Sequence, residues 1–344
     1  MIDLRSDTVT QPTLEMRKAM AEAEVGDDVF MEDPTINRLQ EIAAERMGKE
    51  AALFVSSGTM GNLTAVLVHC GRGDEVILGN LSHTFLFEAG GVSALGGVHP
   101  FPLSNQADGT LIPNDIKQAI RQDNVHFPVS RLVILENTHN RCGGVVLSPE
   151  YTRSIGELAH GSGLKLHIDG ARIFNAAVAL GVKAGELAAP ADSITFCLSK
   201  GLSAPVGSLL CGSHEFITRA RRIRKMLGGG MRQAGILAAA GLVALDKMVD
   251  RLAEDHRRAK QLAEDLQNTK GIELDLGKPQ TNMVFISLEQ SINKNANQVA
   301  EILAKDGLLV SVTGPRSFRL VTHHGISDQQ IESVAPAFKN ALSA

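Results

Sequence analysis

The chain has 344 residues, 44% hydrophobic and 21% charged, with a formal net charge of −4. That length exceeds what one hydrophobic core usually supports, so a large domain and a smaller second one are expected. So mild a charge argues against nucleic acid or a membrane surface as partner. The cysteines Cys70, Cys142, Cys197 and Cys211 form no C-x-x-C pair and read as reduced, mostly buried thiols of a cytoplasmic protein. Residues 1–7 show no basic region followed by an apolar run, so no secretory signal is expected. The longest small-apolar stretch, 234–245, is too short to cross a bilayer and fits a buried helix. Tryptophan is absent and Tyr151 is the only tyrosine, so a flat ligand would have to stack on Phe or His.

In chain order, the first strong signal is a helix capped by Asp33, with Pro34 at its first position and Gly48 at its end. Ile36, Leu39, Ile42 and Met47 form its apolar stripe. Short runs rich in Val, Ile and Leu follow at 53–56, 75–78, 132–136, 164–169, 194–198 and 208–211. Near-continuous apolarity predicts strands covered on both faces, as in a parallel sheet, and the alternation with helices predicts an α/β fold. Residues 246–270 read as a long charged helix with Leu252, Leu262 and Leu266 on its apolar side. Beyond it we expect a strand at 283–288, a helix at 296–305, strands within 308–312 and 318–322, and a last helix. Ser327 and Gln330 form its capping box, and Ile331, Val334, Phe338 and Leu342 its apolar face. The expected division is a large domain, 1–248, including an N-terminal segment 1–30, and a small α+β domain, 249–344.

Three motifs carry chemistry. SSGTMGN, 56–62, lies between a strand and a helix, where small residues let N–H groups converge on a phosphate. LHIDGARI, 166–173, sets Asp169 at a strand end, with Arg172 three residues on. TFCLSKGL, 195–202, ends a strand in Lys200, where a buried ammonium must be paired or lose its proton, and a neutral amine is what Schiff-base chemistry needs. Each has a plainer reading: a simple turn, an aspartate capping a helix beside its paired arginine, and a lysine extending to the surface. Together, in this order, they match fold-type I pyridoxal phosphate enzymes. Asp169 would then keep the pyridine nitrogen protonated, making the ring a better electron sink.

Further motifs narrow the match: RSDTVT (5–10), GDDVFMEDPT (26–35), SHTFLFEAGG (82–91), LENTHN (135–140), LSKGLSAPVGSLL (198–210), GGGMRQAGILAAAG (228–241) and RLVTH (319–323). Over nearly its whole length the chain resembles the low-specificity L-threonine aldolases. The resemblance implies a fold-type I large domain, pyridoxal 5′-phosphate on Lys200, Asp169 at the ring nitrogen and His83 stacked on the ring. Gly58 and Thr59 would hold the phosphate, with Arg232 reaching it from a neighbouring subunit, and Asn137 would touch the ring hydroxyl. Ser6, Arg172 and Arg319 would bind the substrate carboxylate, which suits the planar guanidinium fork. His126 and Lys225 would lie near the substrate side chain. The implied reaction is retro-aldol cleavage of a β-hydroxy-α-amino acid, such as L-threonine or L-allo-threonine, to glycine and an aldehyde. His83, His126 or a water they hold would take the hydroxyl proton. The implied assembly is a homotetramer built from dimers. The alternatives are another pyridoxal phosphate lyase performing β-elimination, and a catalytically silent binding protein.

One departure is Phe30-Met31, where related sequences often carry Tyr-Gly. The basic run 219–225 reads as a solvated helix face or a subunit contact. His323 and His324 lack a third ligand at suitable spacing, so no metal is expected.

Overall fold

The computed structural model describes all residues except Leu276, Lys278 and Ala344. A seven-stranded sheet forms the centre of the larger part. Its strands are β1 (Ala51–Val55), β2 (Glu75–Gly79), β3 (His99–Leu103), β4 (Ser130–Glu136), β5 (Lys165–Asp169), β6 (Ser193–Cys197) and β7 (Ser208–Gly212). Their spatial order is β1-β7-β6-β5-β4-β2-β3. All run the same way except β7, which is antiparallel to both β1 and β6. The apolar runs therefore mark strands covered on both faces, but not their direction: β7 is as buried as its parallel neighbours.

The edge strand β3 has no counterpart among the sequence expectations. Its sequence, His-Pro-Phe-Pro-Leu, places prolines at 100 and 102. Proline cannot donate to a ladder and is tolerated at an edge, and among the described residues β3 pairs only with β2.

Helices α1 (Leu14–Ala21), α2 (Pro34–Met47) and α3 (Gly58–His69) precede or follow β1, and α4 (Pro149–Gly161) precedes β5. The Asp33 side chain accepts from the N–H groups of Thr35 and Ile36, and Gly48 closes α2 in the left-handed region at φ 61°. Ile36, Leu39, Ala43, Ala44 and Met47 are the face that α2 buries. Further along lie α5 (His214–Met226) and α6 (Gly235–Val243). A π-helical turn, Ala244–Met248, separates α6 from α7 (Leu252–Gln267). The charged helix thus starts six residues later than its composition predicts.

A second apolar core is built by α7, α8 (Ala296–Lys305), α9 (Val334–Ser343) and a four-stranded antiparallel sheet. That sheet consists of β8 (Ile272–Leu274), β9 (Met283–Leu288), β10 (Ser311–Val312) and β11 (Ser317–Val321). The run 308–312 divides at Val310. Leu308 and Leu309 pair in parallel with Ile2 and Asp3, while Ser311 and Val312 pair with β11. Leu4 is part of this second core, so the N-terminus belongs structurally with the far end of the chain. The last helix is two: Asp328–Glu332 carries the Ser327/Gln330 capping box and α9 follows. Pro336 explains the break, because its ring would clash with the Glu332 carbonyl in a continuous helix.

Parallel strands send their C-terminal ends to one edge. Ser57, His83, Glu136, Asp169 and Lys200 all lie at or just beyond those ends. In open α/β sheets that edge is where ligands bind.

Candidate active site

Asp169 is the last residue of the central strand β5 and is 2% exposed. Its Oδ2 accepts from Asn62 Nδ2 at 2.9 Å and its Oδ1 from the Ala171 N–H at 3.1 Å. The same Asn62 amide donates to Glu88 Oε1 at 2.8 Å, and Glu88 Oε1 also meets His83 Nδ1 at 2.9 Å. The His83 backbone N–H is fixed by Glu136 at 2.6 Å. Burial, reinforced by the Asp169 charge, pushes Glu88 up against the pull of its bond to His83. The bond to Glu88 in turn raises His83. One ligand-type atom each of His83, Glu88 and Asp169 lies within 4.8 Å of the others. Asn62 bonds Glu88 Oε1 and Asp169 Oδ2, and His83 bonds Glu88 Oε1, so hydrogen bonds join the trio.

Lys200 stands three residues beyond β6, in a turn closed by the Ser203 N–H donating to the Lys200 carbonyl at 2.8 Å. Ser203 adopts φ 63°, a strained conformation for a residue with a side chain and one that clusters at functional sites. Thr10 Oγ1 donates to the same carbonyl at 2.9 Å, so the N-terminal segment crosses over this turn. Lys200 is half-buried, and its Nζ has no hydrogen bond or ion pair among the described residues. Lys200 lines the same cleft as Gly170 and Arg172.

Two arginines lie near Asp7. Arg172 Nε and Nη2 each donate to an Asp7 oxygen at 2.6 Å, and both partners are buried. Burial alone would raise the Asp7 carboxyl, but the Arg172 guanidinium, backed by Lys200 and Arg319, outweighs it and holds the group at about 2. Arg319, on β11, donates from Nη1 to Asn140 at 2.8 Å and from Nη2 to the Arg5 carbonyl at 3.2 Å. Its Nε is buried with no partner among the described residues. Ser6 caps the short turn Asp7–Val9. The structure thus joins Ser6, Arg172, Arg319 and Lys200, but Arg172 already grips one internal carboxylate.

Gly58 and Thr59 open α3, where the first N–H groups lack helical partners and the dipole favours an anion. A Cβ on Gly58 would stand 2.9 Å from Cys197 Sγ, so glycine is required there. Ser208 Oγ is buried nearby with no partner among the described residues. Asn137 spends its amide on both backbone groups of Leu147, at 3.1 and 3.2 Å, leaving one N–H for any further bond. His126, Lys225 and Arg232 are exposed. None of them hydrogen bonds to the cluster: His126 sits in the turn led by Asn124, Lys225 lies on α5, and Arg232 pairs with Asp27 at 3.0 Å.

Sequence reasoning passed over Asp7, Asn62, Glu88 and Asn140, although each lies inside a quoted motif. The available signal was an acid or amide buried among small residues, which needs a partner.

The beta-eliminating lyase family model matches residues 3–290. Low-specificity L-threonine aldolase 1 of Arabidopsis thaliana is 50% identical, over 99% of this chain and 96% of its own length. Low specificity L-threonine aldolase of Escherichia coli K12 is 48% identical over the full length of both. The chain belongs to the low-specificity L-threonine aldolase family. Among solved structures, the threonine aldolase of Leishmania major superposes with a TM-score of 0.83 at 21% identity, covering 99% of this chain and 100% of that one. At that identity the likeness concerns the fold, and it agrees with the α/β architecture expected from sequence. Among the described residues no helix is long and apolar enough to cross a membrane.

Proposed function

We propose that this chain holds pyridoxal 5′-phosphate on Lys200 and cleaves L-threonine, L-allo-threonine and related β-hydroxy-α-amino acids to glycine and an aldehyde. The observation that carries the reading is the unpartnered Lys200 amine, at the same sheet edge as the hydrogen-bonded Asp169 and near the Arg172–Asp7 pair, in a member of this family. The donor set fits the cofactor: a free amine, a buried carboxylate for the ring nitrogen, and unpaired N–H groups of Gly58 and Thr59 with Ser208 nearby for the phosphate. When bound, the cofactor supplies an electron sink for the pair released as the Cα–Cβ bond breaks.

The chain's own residues do the rest. Arg319 Nε and Ser6 receive the substrate carboxylate, and Arg172, held by Asp7, supplies positive charge behind them. That grip fixes which bond to Cα is aligned for cleavage. The bond between His83 Nδ1 and Glu88 leaves Nε2 as the free nitrogen, which suits it to take the β-hydroxyl proton. His126, Lys225 and Arg232, exposed on one chain, complete the site of a neighbouring copy: the first two beside the substrate side chain and Arg232 at the phosphate. A homotetramer of dimers in the cytoplasm is the matching assembly, and four free buried cysteines suit a reducing compartment. In that setting the reaction would form glycine and break down threonine.

The family description favours a second reading, β-elimination from an amino acid. Incubation with L-threonine separates the two. Glycine and acetaldehyde are expected; 2-oxobutanoate with ammonia would overturn the aldolase reading. Rates on L-threonine, L-allo-threonine, L-serine and L-phenylserine then define preference around Phe30 and Met31, which are exposed on this chain.

A further inference from the structure

Behind Asp169 a hydrogen-bonded file of side chains crosses the sheet-facing side of α3. Asn62 Oδ1 meets His167 Nε2 at 3.2 Å, His167 Nδ1 meets Ser193 Oγ at 2.8 Å, and Ser193 Oγ meets His69 Nε2 at 2.8 Å. Asn62, His167 and Ser193 are buried, while the His69 ring stacks on Phe216 with centroids 4.8 Å apart.

Donor directions follow from donor and acceptor chemistry together with the burial of the two rings. Carboxylates only accept, so Asn62 must turn its NH₂ toward Asp169 and Glu88 and its oxygen toward His167. His167 Nε2 then carries the proton. Burial holds His167 at about 3 and His69 at about 4, so both rings are neutral. His167 Nδ1 therefore accepts from the Ser193 hydroxyl, which in turn accepts from His69 Nε2. Every donor in the file points toward Asp169.

We propose that Asn62, His167, Ser193 and His69 form a one-directional hydrogen-bond relay that fixes the position of the Asp169 side chain at the cofactor ring. They are positioning residues. Aligned donors polarise one another, and the last one meets a charged acceptor, where a hydrogen bond is strongest. The relay also shares its final NH₂ with Glu88, so the ring-nitrogen partner and the His83 support are set by a single amide. Around Asp169 the titratable neighbours are His83 and Glu88, and neither replaces the Asn62 donor. This inference rests on the proposed cofactor role of Asp169.

The test uses the full-length protein loaded with pyridoxal 5′-phosphate labelled with ¹⁵N in the ring. Borohydride fixation of the cofactor to Lys200 in the unaltered protein is measured first; its failure overturns the cofactor reading and the relay with it. With fixation established, His167→Phe is expected to weaken cofactor affinity about tenfold, the scale of one charged hydrogen bond. It is also expected to move the ring-nitrogen resonance toward the unprotonated position. Ser193→Ala, a milder cut, should shift both in the same direction by less. His167→Gln, which keeps a donor near Nε2, should restore them. Unchanged affinity and an unchanged nitrogen resonance in either cutting variant would show the file to be packing only and leave the cofactor reading intact.

Discussion

The two halves of the site are built differently. The inner half, Asp169, Asn62, Glu88, His83 and Arg172, stands at the C-terminal edge of the sheet, and its polar atoms are largely spent on one another. The outer half that we propose, His126, Lys225 and Arg232, is exposed and makes no hydrogen bond to the inner one among the described residues. A single chain can pre-organise what it buries, because burial makes each unpaired polar group costly and so selects one arrangement. Exposed residues carry no such constraint.

The most severe way to break this comparison is to place one defect in each half. Lys200→Ala should abolish cofactor fixation and lower activity by a factor on the order of 10³ or more. Arg232→Ala should lower activity while leaving the chain as stable as before. If the halves come from different copies, refolding the two variants together restores about a quarter of the sites, since each mixed dimer holds one intact site. A mixture no more active than its components would return Arg232 to its own chain.

The same division explains what the sequence disclosed. Asp169, Lys200 and the 56–62 turn were legible because strand periodicity marks where a chain must stop, and residues at parallel strand ends share an edge. The inner hydrogen bonds were not legible: Asn62 and Asp169 are 107 positions apart, and Asp7 and Arg172 are 165 apart. Only the order of strands brings them together, and β7 shows that apolar runs do not reveal strand direction. Arg172 is the clearest case. The family resemblance implied a substrate grip for it, and the fold also gives its fork an internal carboxylate, Asp7.

That pair offers the next largest effect. Asp7→Ala would leave the Arg172 guanidinium buried without its carboxylate, and loss of one partner of a buried pair costs about 3–5 kcal/mol. Denaturant unfolding measures it. Acetate should recover part of the loss in this variant and none in the parent, because a small carboxylate can replace the missing one. Equal sensitivity to acetate in both would mean that the loss is packing around residue 7, not charge.

The smallest effect concerns pH and sharpens the contrast within the inner half. His167 is held at about 3 and His69 at about 4 by burial, whereas unfolded imidazole titrates near ~6.5. Between those values the unfolded chain binds more protons than the folded one, so stability must fall as pH falls. The contribution is fully present above about pH 6.5 and drains away toward the folded values. The Asp7 carboxylate, held at about 2, adds stability that is lost only at lower pH still. Removing one such histidine removes about 1.4 kcal/mol per pH unit from the slope once the unfolded imidazole is protonated. His167→Gln should therefore show a shallower decline in unfolding free energy from pH 6 to 4.5 than the parent chain. Parallel declines would mean that His167 takes up a proton in the folded protein as readily as in the unfolded one. It could then not be the neutral link that its hydrogen bonds to Asn62 and Ser193 require.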